Sequence, residues 1–369
     1  MNTLITGATG FLGRELAHRL LSSDPALRLV ALIRATDDAG LERRRKKLIE
    51  GMAPELGLRV EGLRGDVEQP RLGLDARSHA ALVERIDRVL HVAATVSFDH
   101  SIEVARRINV GGTEEMIGIC RAIRARGGSG RLDYVGTAYV AGDREGVVFE
   151  EQLEHGQDFR NTYEQSKFEA ERVVREARAE LPVAIYRPSI IVGEAATGKT
   201  TSYKTIYWPM KVLVKFYGLW RPVIPRLVRL PVRRDCVLDL VPVDHVAGAV
   251  ATLFGRASAE GSCFHLAAGP DAATIGELVE MACDHFGVAR LRFIDPEGPV
   301  RLLGRAARPL LLRGAPRLVK NGELMLAYTR RNPRFDTTNT VAAGLAAPRI
   351  ADYFPKLLAF AHGHDFGRA

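Results

Sequence analysis

The sequence predicts an α/β fold in which a parallel sheet is covered by helices on both faces. Three observations predict it. In the first half of the chain, short runs of β-branched and aliphatic residues alternate with longer stretches whose apolar residues recur every three or four positions. A glycine-rich turn stands at the first junction between strand and helix. The 369 residues are 46% hydrophobic and 26% charged, which is ordinary globular usage with enough length for a sizeable core.

The predicted strands and helices follow each other regularly as far as residue 193. The first helix shows the pattern most clearly, because Leu16, Leu20 and Leu21 follow Leu12 at the spacing of one helical face. Aliphatic and β-branched runs predict six strands, at 2–6, 28–34, 58–64, 87–93, 131–137 and 182–187. Amphipathic stretches predict five helices between them, at 11–23, 40–51, 76–86, 101–125 and 161–180. Such alternation is typical of a doubly wound parallel sheet.

The regular order breaks after Gly193. Residues 194–235 are basic, aromatic and contain proline, whereas Val237–Val241 predicts a strand, a helix is predicted from Asp244, and Cys263–Ala267 predicts another strand. We therefore expect two interleaved parts. A sheet domain takes residues 1–193 plus 236–269, and a smaller C-terminal lobe takes residues 194–235 plus 270–369.

The turn between the first strand and the first helix carries Gly7, Gly10 and Gly13. Glycines at a helix N-terminus let backbone N–H groups approach a pyrophosphate, and the positive end of the helix favours its charge. Because this turn opens an alternating α/β chain, the context that the motif requires, we predict a Rossmann-type domain that binds a dinucleotide.

Two arginines favour NADP(H) over NAD(H). An acidic residue is expected near the end of the second strand when ribose hydroxyls are bound, but strand 28–34 ends in Arg34, and Arg14 follows the last glycine. Guanidinium groups bind a 2′-phosphate through paired hydrogen bonds. Asp37 and Asp38 lie nearby, so NAD(H) stays open as the alternative cofactor.

A second phosphate-binding pattern lies further along the chain. Residues 193–200 satisfy the spacing of a P-loop at every position. A P-loop NTPase also needs an acidic strand for magnesium, for which Asp239 is the most plausible candidate. Because the first glycine turn already accounts for a nucleotide, we interpret 193–200 as a chance match or a glycine loop.

The net charge of +8 is concentrated in two segments. Residues 203–234 carry eight basic residues and no acidic one, and residues 301–331 carry eight basic residues against Glu323 alone. Aromatic and aliphatic residues are interleaved with these charges. The pattern favours an anionic ligand with an apolar tail, an acyl carrier protein or a membrane surface; a merely solvated basic face is the plainer alternative. We expect no nucleic-acid partner.

The four cysteines and the apolar runs indicate a cellular compartment. Cys120, Cys236, Cys263 and Cys283 lie far apart, without metal-ligand spacing, so we expect no structural metal and a reducing compartment. No run of 18 apolar residues exists, and the chain begins directly with a strand, so we expect neither a transmembrane helix nor a secretory leader. We predict a cytoplasmic protein, with association at a membrane surface left open.

Three residues predict carbonyl chemistry. Thr137 ends the fifth strand, and Tyr163 and Lys167 lie four residues apart, on one face of the next helix. A nearby ammonium favours the phenolate and is therefore expected to lower the pKa of Tyr163. With Thr137 binding a carbonyl oxygen, Tyr163 can protonate that oxygen as hydride arrives from a nicotinamide.

These motifs resemble the extended short-chain dehydrogenase/reductase superfamily over roughly residues 1–270. The resemblance rests on the glycine turn, Thr137, Tyr163-x-x-x-Lys167 and Arg187-Pro188-Ser189. It implies that Asn109 relays protons through water to the lysine. The phrases around residues 137–140, 161–171, 187–193 and 241–246 resemble the branch that contains fatty acyl-CoA reductases and thioester reductase domains.

The resemblance implies an NADPH-dependent reductase whose second lobe binds the substrate, most plausibly an acyl thioester. A ketone reductase, dehydrogenase or epimerase acting on a sterol, a quinone-like molecule or a nucleotide sugar is the alternative, and a non-catalytic NADP(H) sensor is a further one. The catalytic residues are then Thr137, Tyr163, Lys167 and Asn109. The predicted cofactor-binding residues are Thr6, Gly7, Gly10, Phe11, Leu12, Gly13, Arg14, Arg34, Asp66, Val67, Ala93, Ala94, Thr95, Tyr163, Lys167, Pro188, Ser189 and Ile190. The aromatic residues of the basic segment would either line an apolar channel for the acyl chain or, as the plainer alternative, form core of the second lobe; they are Trp208, Phe216, Tyr217 and Trp220.

Overall fold

The computed structural model describes most of the chain. The described residues are 1–98, 100–203, 206–207, 209–211, 214, 229–230, 232–294, 328–329 and 333–367. Most of the basic segment 203–234, including the four aromatic residues predicted to line an acyl channel, lies outside this description. The same holds for residues 301–327 of the second basic segment.

The order of strands and helices follows the sequence prediction through the first half of the chain. The strands are β1 (Asn2–Thr6), β2 (Arg28–Ile33), β3 (Val60–Arg64), β4 (Arg88–His91), β5 (Arg131–Val135), β6 (Gly146–Val148), β7 (Val183–Pro188), β8 (Ile190–Val192), β9 (Arg229–Leu230), β10 (Leu240–Pro242), β11 (Cys263–Leu266), β12 (Arg292–Phe293) and β13 (Pro333–Phe335). The α-helices are α1 (Phe11–Ser23), α2 (Asp38–Ile49), α3 (Pro54–Gly57), α4 (Ala76–Arg85), α5 (Ile102–Arg106), α6 (Gly112–Ala125), α7 (Thr162–Ala177), α8 (Val243–Phe254), α9 (Ile275–Phe286), α10 (Thr338–Ala342) and α11 (Ile350–Gly363).

Seven strands form one parallel sheet in the order β11-β7-β5-β4-β1-β2-β3. The chain builds outward from β1 to β3 and then returns to β4 on the other side of β1. Ligands of doubly wound sheets bind at this reversal, beyond the carboxyl ends of the strands. The predicted doubly wound, Rossmann-type fold is confirmed.

Apolar clusters cover both faces of this sheet. On one face α1 and α8 are anchored by side chains such as Leu16 and Val250. On the other face α6 and α7 are anchored by side chains such as Ile123 and Val174. Because both faces are covered, the sheet is rigid and its carboxyl edge provides a fixed platform for a site.

The predicted continuous helix at 101–125 is interrupted. A π turn at Arg107–Gly111 separates α5 from α6, which inserts one extra residue into the helical spiral. The Thr113 hydroxyl donates a hydrogen bond to the Asn109 carbonyl at 2.6 Å, so a side chain satisfies a carbonyl inside the turn. The periodicity of apolar residues carries no signal for this interruption.

The C-terminal part packs closely on the sheet domain. A third apolar cluster joins α9 and α11 to residues such as Leu240 of β10. Further along, β13 pairs with β6, and the buried carboxylate of Glu150 accepts hydrogen bonds from Asn339 N at 2.6 Å and Thr340 Oγ1 at 2.9 Å. The division into lobes at residues 193, 235 and 269 stays a prediction.

The described part of the chain offers neither a membrane span nor a metal cluster. No helix among the described residues is long and apolar enough to cross a membrane. No group of three or more histidine, cysteine, aspartate or glutamate side chains in the described ranges is placed to hold a metal ion. The four cysteines are all buried and free of disulfides.

Candidate functional site

The glycine turn between β1 and α1 has the geometry of a phosphate cradle. Gly7 has φ +69°, and a Cβ there would lie 2.7 Å from the Ala93 nitrogen. A Cβ on Gly13 would lie 2.1 Å from the Gly7 carbonyl oxygen. Gly10 N–H donates to that same oxygen at 2.9 Å. The turn therefore tolerates no side chain at Gly7 or Gly13, and it fits a pyrophosphate bound against backbone.

Thr6 and His91 form a buried hydrogen-bond network next to the glycine turn. The Thr6 hydroxyl accepts hydrogen bonds from Val92 N and Ala93 N at 3.2 and 3.1 Å, and it contacts His91 Nδ1 at 2.7 Å. His91 Nε2 lies 3.2 Å from the Thr113 hydroxyl. Burial, together with the charge of Lys167, lowers the pKa of His91 to about 3. Thr6 is fully buried, so its hydroxyl shapes the site rather than facing a ligand.

The predicted adenosine end of the site gathers around Arg34. The Arg34 guanidinium lies 3.1 Å from Glu68 and 3.8 Å from Asp66. Arg14 instead donates to the Glu50 carbonyl at 3.1 Å. The structure thus brings Arg34 and Asp66 together, and it shows Arg14 engaged with another part of the chain.

Thr137 and Tyr163 come together at the carboxyl edge of the sheet. Thr137 follows β5, where its hydroxyl accepts from Tyr139 N at 3.2 Å and caps a short 3₁₀ turn. Tyr163 lies in the first turn of α7, where its phenol neighbours the Thr137 hydroxyl. The Phe98 ring packs edge-on against the Tyr163 ring, with centroids 5.9 Å apart.

The pKa of Tyr163 departs from the sequence prediction. Burial raises the pKa of Tyr163 to about 12, although the neighbouring Thr137 hydroxyl opposes the rise. The predicted lowering by Lys167 is wrong for this state of the site. The physical reason is that desolvation penalises the phenolate, while the Lys167 amine donates its hydrogen bond to the Val135 carbonyl.

Lys167 lies beneath the site rather than beside bulk solvent. Its amine donates to the Val135 carbonyl at 2.9 Å and lies 4.3 Å from the centroid of the Tyr134 ring. Burial lowers the pKa of Lys167 to about 7, and the charge of Glu171 partly offsets the shift. The amine therefore titrates near neutral pH.

Asn109 links two loops of the site. From the π turn, its side chain accepts from Thr95 N at 2.8 Å and donates to the Ser166 hydroxyl at 2.9 Å. Ser166 precedes Lys167 in α7. Asn109 therefore fixes the loop after β4 to the helix that carries Tyr163, and its predicted part in a proton relay stays a prediction.

A buried acid that sequence reasoning did not assign to the site, Asp239, lies directly before β10 and beside the segment that follows β7. Ser189 and Ile190 lie beside Asp239, whose carbonyl accepts from Ile190 N at 3.2 Å. Burial raises the pKa of Asp239 to about 6, although hydrogen bonds from Ala268 N at 2.9 Å and Gly269 N at 3.0 Å oppose the rise. Asp239 thus pins the 189–190 segment to the loop after β11.

Two aromatic residues near Tyr163 were also missed. Phe98 carries no motif, and only its predicted neighbour Thr95 suggests its place. Tyr328 comes from the C-terminal part, where its hydroxyl accepts from Asn161 Nδ2 at 3.0 Å and its ring lies 5.3 Å from that of Tyr139. No spacing in the sequence relates Tyr328 to residues 139–161, so this contact has no sequence signal.

The P-loop-like residues 193–200 form a closed turn. Glu194 N donates to the Lys199 carbonyl at 2.9 Å, and the Glu194 carboxylate accepts from the Thr197 hydroxyl at 2.7 Å. A Cβ on Gly198 would lie 2.2 Å from the Lys356 carbonyl of α11. The turn packs on its own residues and on α11, which supports its interpretation as a glycine loop.

Comparison with known proteins identifies the family. Residues 5–250 match the sequence model of the NAD-binding family described as male sterility protein. The chain belongs to this family. A linear gramicidin synthase of Brevibacillus parabrevis is 32% identical over 287 residues, 75% of this chain and 5% of that protein. The large chain of the L-2-aminoadipate reductase of Penicillium chrysogenum is 32% identical over 267 residues, 68% of this chain and 18% of that protein.

Solved structures extend the likeness to the whole chain. The terminal R domain of the myxalamid PKS-NRPS pathway is 29% identical with a TM-score of 0.81, over 100% of this chain and 92% of that one. A nonribosomal peptide synthetase R domain of Mycobacterium tuberculosis is 25% identical with a TM-score of 0.72, over 99% and 91%. Fatty acyl-CoA reductase wat of Drosophila melanogaster is 28% identical over 57% of this chain and 46% of that protein.

These relatives and the site geometry agree on the class of chemistry. The family, the reductase domains and the fatty acyl-CoA reductase make this protein an NAD(P)-dependent oxidoreductase of the short-chain dehydrogenase/reductase type. The predicted family and branch are confirmed. The chain spans only a small part of the gramicidin synthase and the aminoadipate reductase, so their substrates are not carried over as findings.

Proposed function

We propose that this protein reduces an acyl thioester, carried by coenzyme A or an acyl carrier protein, to an aldehyde or an alcohol with NADPH. The observation that carries the proposal is the juxtaposition of the Thr137 hydroxyl and the Tyr163 phenol at the carboxyl edge of the sheet. The likeness of the whole chain to terminal reductase domains supports it. The pair can bind a carbonyl oxygen and protonate it in place.

The residues of the site would hold the cofactor along the sheet edge. The turn Gly7–Gly13 would bind the pyrophosphate, Asp66 and Val67 the adenine, and Arg34 the 2′-phosphate. Ala93, Ala94 and Thr95 would lie against the cofactor, with Pro188, Ser189 and Ile190 on the nicotinamide side. When bound, NADPH supplies the hydride. The preference for NADPH rests on Arg34, which directly follows β2, where NAD enzymes of this fold carry an acid.

Proton delivery falls to Tyr163. Its hydroxyl and that of Thr137 would hold the carbonyl oxygen, and the phenol would donate its proton to the developing oxyanion. Because burial raises the pKa of Tyr163 to about 12, the phenol is fully protonated at neutral pH, as a proton donor must be. Loss of the thiol from the reduced carbon then releases the aldehyde.

The fatty acyl-CoA reductase among the relatives favours a thioester over a simple ketone. The basic segment 203–234 supports the same choice, because its excess of basic over acidic residues attracts a phosphate-bearing or acidic carrier. A ketone or nucleotide-sugar substrate would use the same Thr137 and Tyr163, so the chemistry of the pair does not separate the two substrate classes.

Products from a substrate panel test the proposal. Long-chain and short-chain acyl-CoA, acyl carrier protein thioesters and free ketones are each incubated with NADPH and the full chain, and products are identified by mass spectrometry. We expect aldehydes or alcohols from thioesters, and their loss in Tyr163→Phe. Turnover of ketones alone would replace the thioester proposal by the ketone reductase alternative. Tight NADPH binding without turnover of any carbonyl would indicate the sensor.

A further inference from the structure

A bridged pair of guanidinium groups lies next to the predicted adenosine end of the site. Glu68 accepts from Arg34 Nη1 at 3.1 Å through one carboxylate oxygen and from Arg107 Nε at 3.2 Å through the other. The side chains of Arg34 and Arg107 are 68% and 57% exposed, whereas that of Glu68 is 16% exposed. The two guanidinium groups therefore converge on one anion and keep much of their surface open to a ligand.

The backbone around Arg107 places it at the cofactor edge independently of that ion pair. Arg107 opens the π turn that carries Asn109. At the end of this segment, a Cβ on Gly112 would lie 3.1 Å from Val67 Cβ, so α6 begins directly against the residue predicted to meet the adenine. Arg107 and Arg34 thus flank the same region from two different elements, the π turn before α6 and the loop that follows β2.

The charges around this region are balanced before any ligand binds. Arg34 and Arg107 face Glu68 and Asp66, with Asp66 3.8 Å from Arg34. A phosphate is a better partner for two guanidinium groups than one carboxylate, because it offers more acceptor oxygens and more negative charge. The phosphate would displace the Glu68 carboxylate from the two guanidinium groups. The displaced carboxylate, which stays nearby, would repel the phosphate.

We propose that Arg107 joins Arg34 in binding the 2′-phosphate of NADP(H), and that Glu68 competes with this phosphate for both guanidinium groups. The proposal rests on the NADPH preference proposed above. Arg14, the second arginine that the sequence suggests, is engaged with the Glu50 carbonyl and is replaced in this role by Arg107. Glu68 would therefore moderate the preference for NADP(H) over NAD(H).

Binding of two nucleotide fragments tests the proposal without any turnover. The affinities of 2′,5′-ADP and 5′-ADP, which serve as probes with and without the 2′-phosphate, are measured by isothermal titration calorimetry on the full chain. We expect Arg107→Gln to weaken 2′,5′-ADP about fivefold, since an exposed charge-assisted hydrogen bond is lost. Glu68→Gln should tighten 2′,5′-ADP about threefold, because a competing negative charge is removed. Neither variant should change the affinity for 5′-ADP.

Arg121→Gln is the matched control. Arg121 is 56% exposed and paired with Glu180, so the control removes the same charge at similar exposure outside the site. We also measure the effect of Arg107→Gln in a chain that already carries Glu68→Gln. A fivefold loss of 2′,5′-ADP affinity there as well supports a direct contact between Arg107 and the phosphate.

The outcomes separate this inference from the cofactor proposal beneath it. Equal binding of the two fragments by the wild type would overturn the NADPH preference itself. A wild type that prefers 2′,5′-ADP, with Arg107→Gln unchanged or weakened equally for both fragments, would overturn the role of Arg107 alone. Weaker 2′,5′-ADP binding in Glu68→Gln would overturn the competition and make Glu68 an organiser of the two arginines.

Discussion

At the scale of single residues, the most consequential group is the buried amine of Lys167. Burial lowers its pKa to about 7 in the folded protein, whereas the unfolded chain has the ordinary value near 10.4. Between these two values the unfolded chain binds more protons than the folded one. The free energy of unfolding contributed by Lys167 therefore rises with pH across this window and is lowest below pH 7.

This sign predicts a pH-dependent effect of Lys167→Met. The quantity of interest is the unfolding free energy of the variant minus that of the wild type. We expect this difference to be more positive at pH 6 than at pH 9, by ~2 kcal/mol. Urea unfolding of the wild type and the variant at both pH values measures it. Lys46→Met, at an exposed position of α2, should show no such difference, and equal effects of Lys167→Met at both pH values would contradict the buried, neutral amine.

Residue identities were predictable where spacing carries the chemistry. Thr137, Tyr163 and the glycines stand out because the reaction and the backbone approach demand those residue types at those positions. The pKa of Tyr163 was not predictable, because desolvation depends on packing by residues such as Phe98 that no motif marks. The pairing of Glu68 with Arg107 joins residues 39 apart in sequence, and no local pattern reports it.

At the scale of elements, the turn from β1 to α1 sets the cofactor site. Its glycines are required by close approach: the space for a Cβ at Gly13 is already filled by the backbone of Gly7 and Ala8. By contrast, the exposed Gly118 of α6 has no atom within 4 Å of a built Cβ. The same substitution should therefore have opposite effects at the two positions.

We expect Gly13→Ala to abolish measurable NADP(H) binding and to destabilise the fold, because the turn must open to admit the methyl group. Gly118→Ala should raise the free energy of unfolding by about 1 kcal/mol, since alanine is the better helix former. Fluorescence titration with NADPH and urea unfolding measure both effects. Normal cofactor binding by Gly13→Ala would refute the tight turn.

The elements themselves follow from periodicity, but their junctions do not. The strands and helices of the sheet domain were predicted within a few residues, because alternating apolar patterns reflect burial on the two faces. The π turn at Arg107–Gly111 was missed, since it depends on a contact from Thr113 rather than on apolar spacing. The pairing of β13 with β6 joins distant parts of the chain and has no local signature.

At the scale of the whole molecule, part of the positive charge of segment 203–234 is neutralised by acidic side chains that lie outside the segment. Of the basic residues in 203–234, Arg233 pairs with Asp235 at 2.7 Å and Arg234 pairs with Glu280. Two of the eight charges are therefore balanced locally by acids that the count within the segment does not include. Arg226 and the side chain of Arg229 lie outside the described residues and remain candidates for attracting an anionic substrate.

We expect Arg226→Gln with Arg229→Gln to raise the KM for an acyl-CoA thioester and to flatten its dependence on salt. The reason is that screening shortens the reach of charge from about 10 Å at 0.1 M salt to about 3 Å at 1 M. Steady-state kinetics at several ionic strengths measure it. Arg77→Gln with Arg121→Gln removes the same charge elsewhere as a control. Equal losses on a free aldehyde would point to a structural role for the segment.

We propose above that Tyr163, next to Thr137, donates the proton in carbonyl reduction. The most direct test of this role is one comparison of Tyr163→Phe with the wild type, in which NADPH affinity is measured by fluorescence and NADPH oxidation by stopped flow with a saturating thioester. We expect the NADPH affinity of the variant to stay within about twofold of the wild type and its oxidation rate to fall by at least about 100-fold, the scale of a lost general acid. An oxidation rate close to that of the wild type would contradict it.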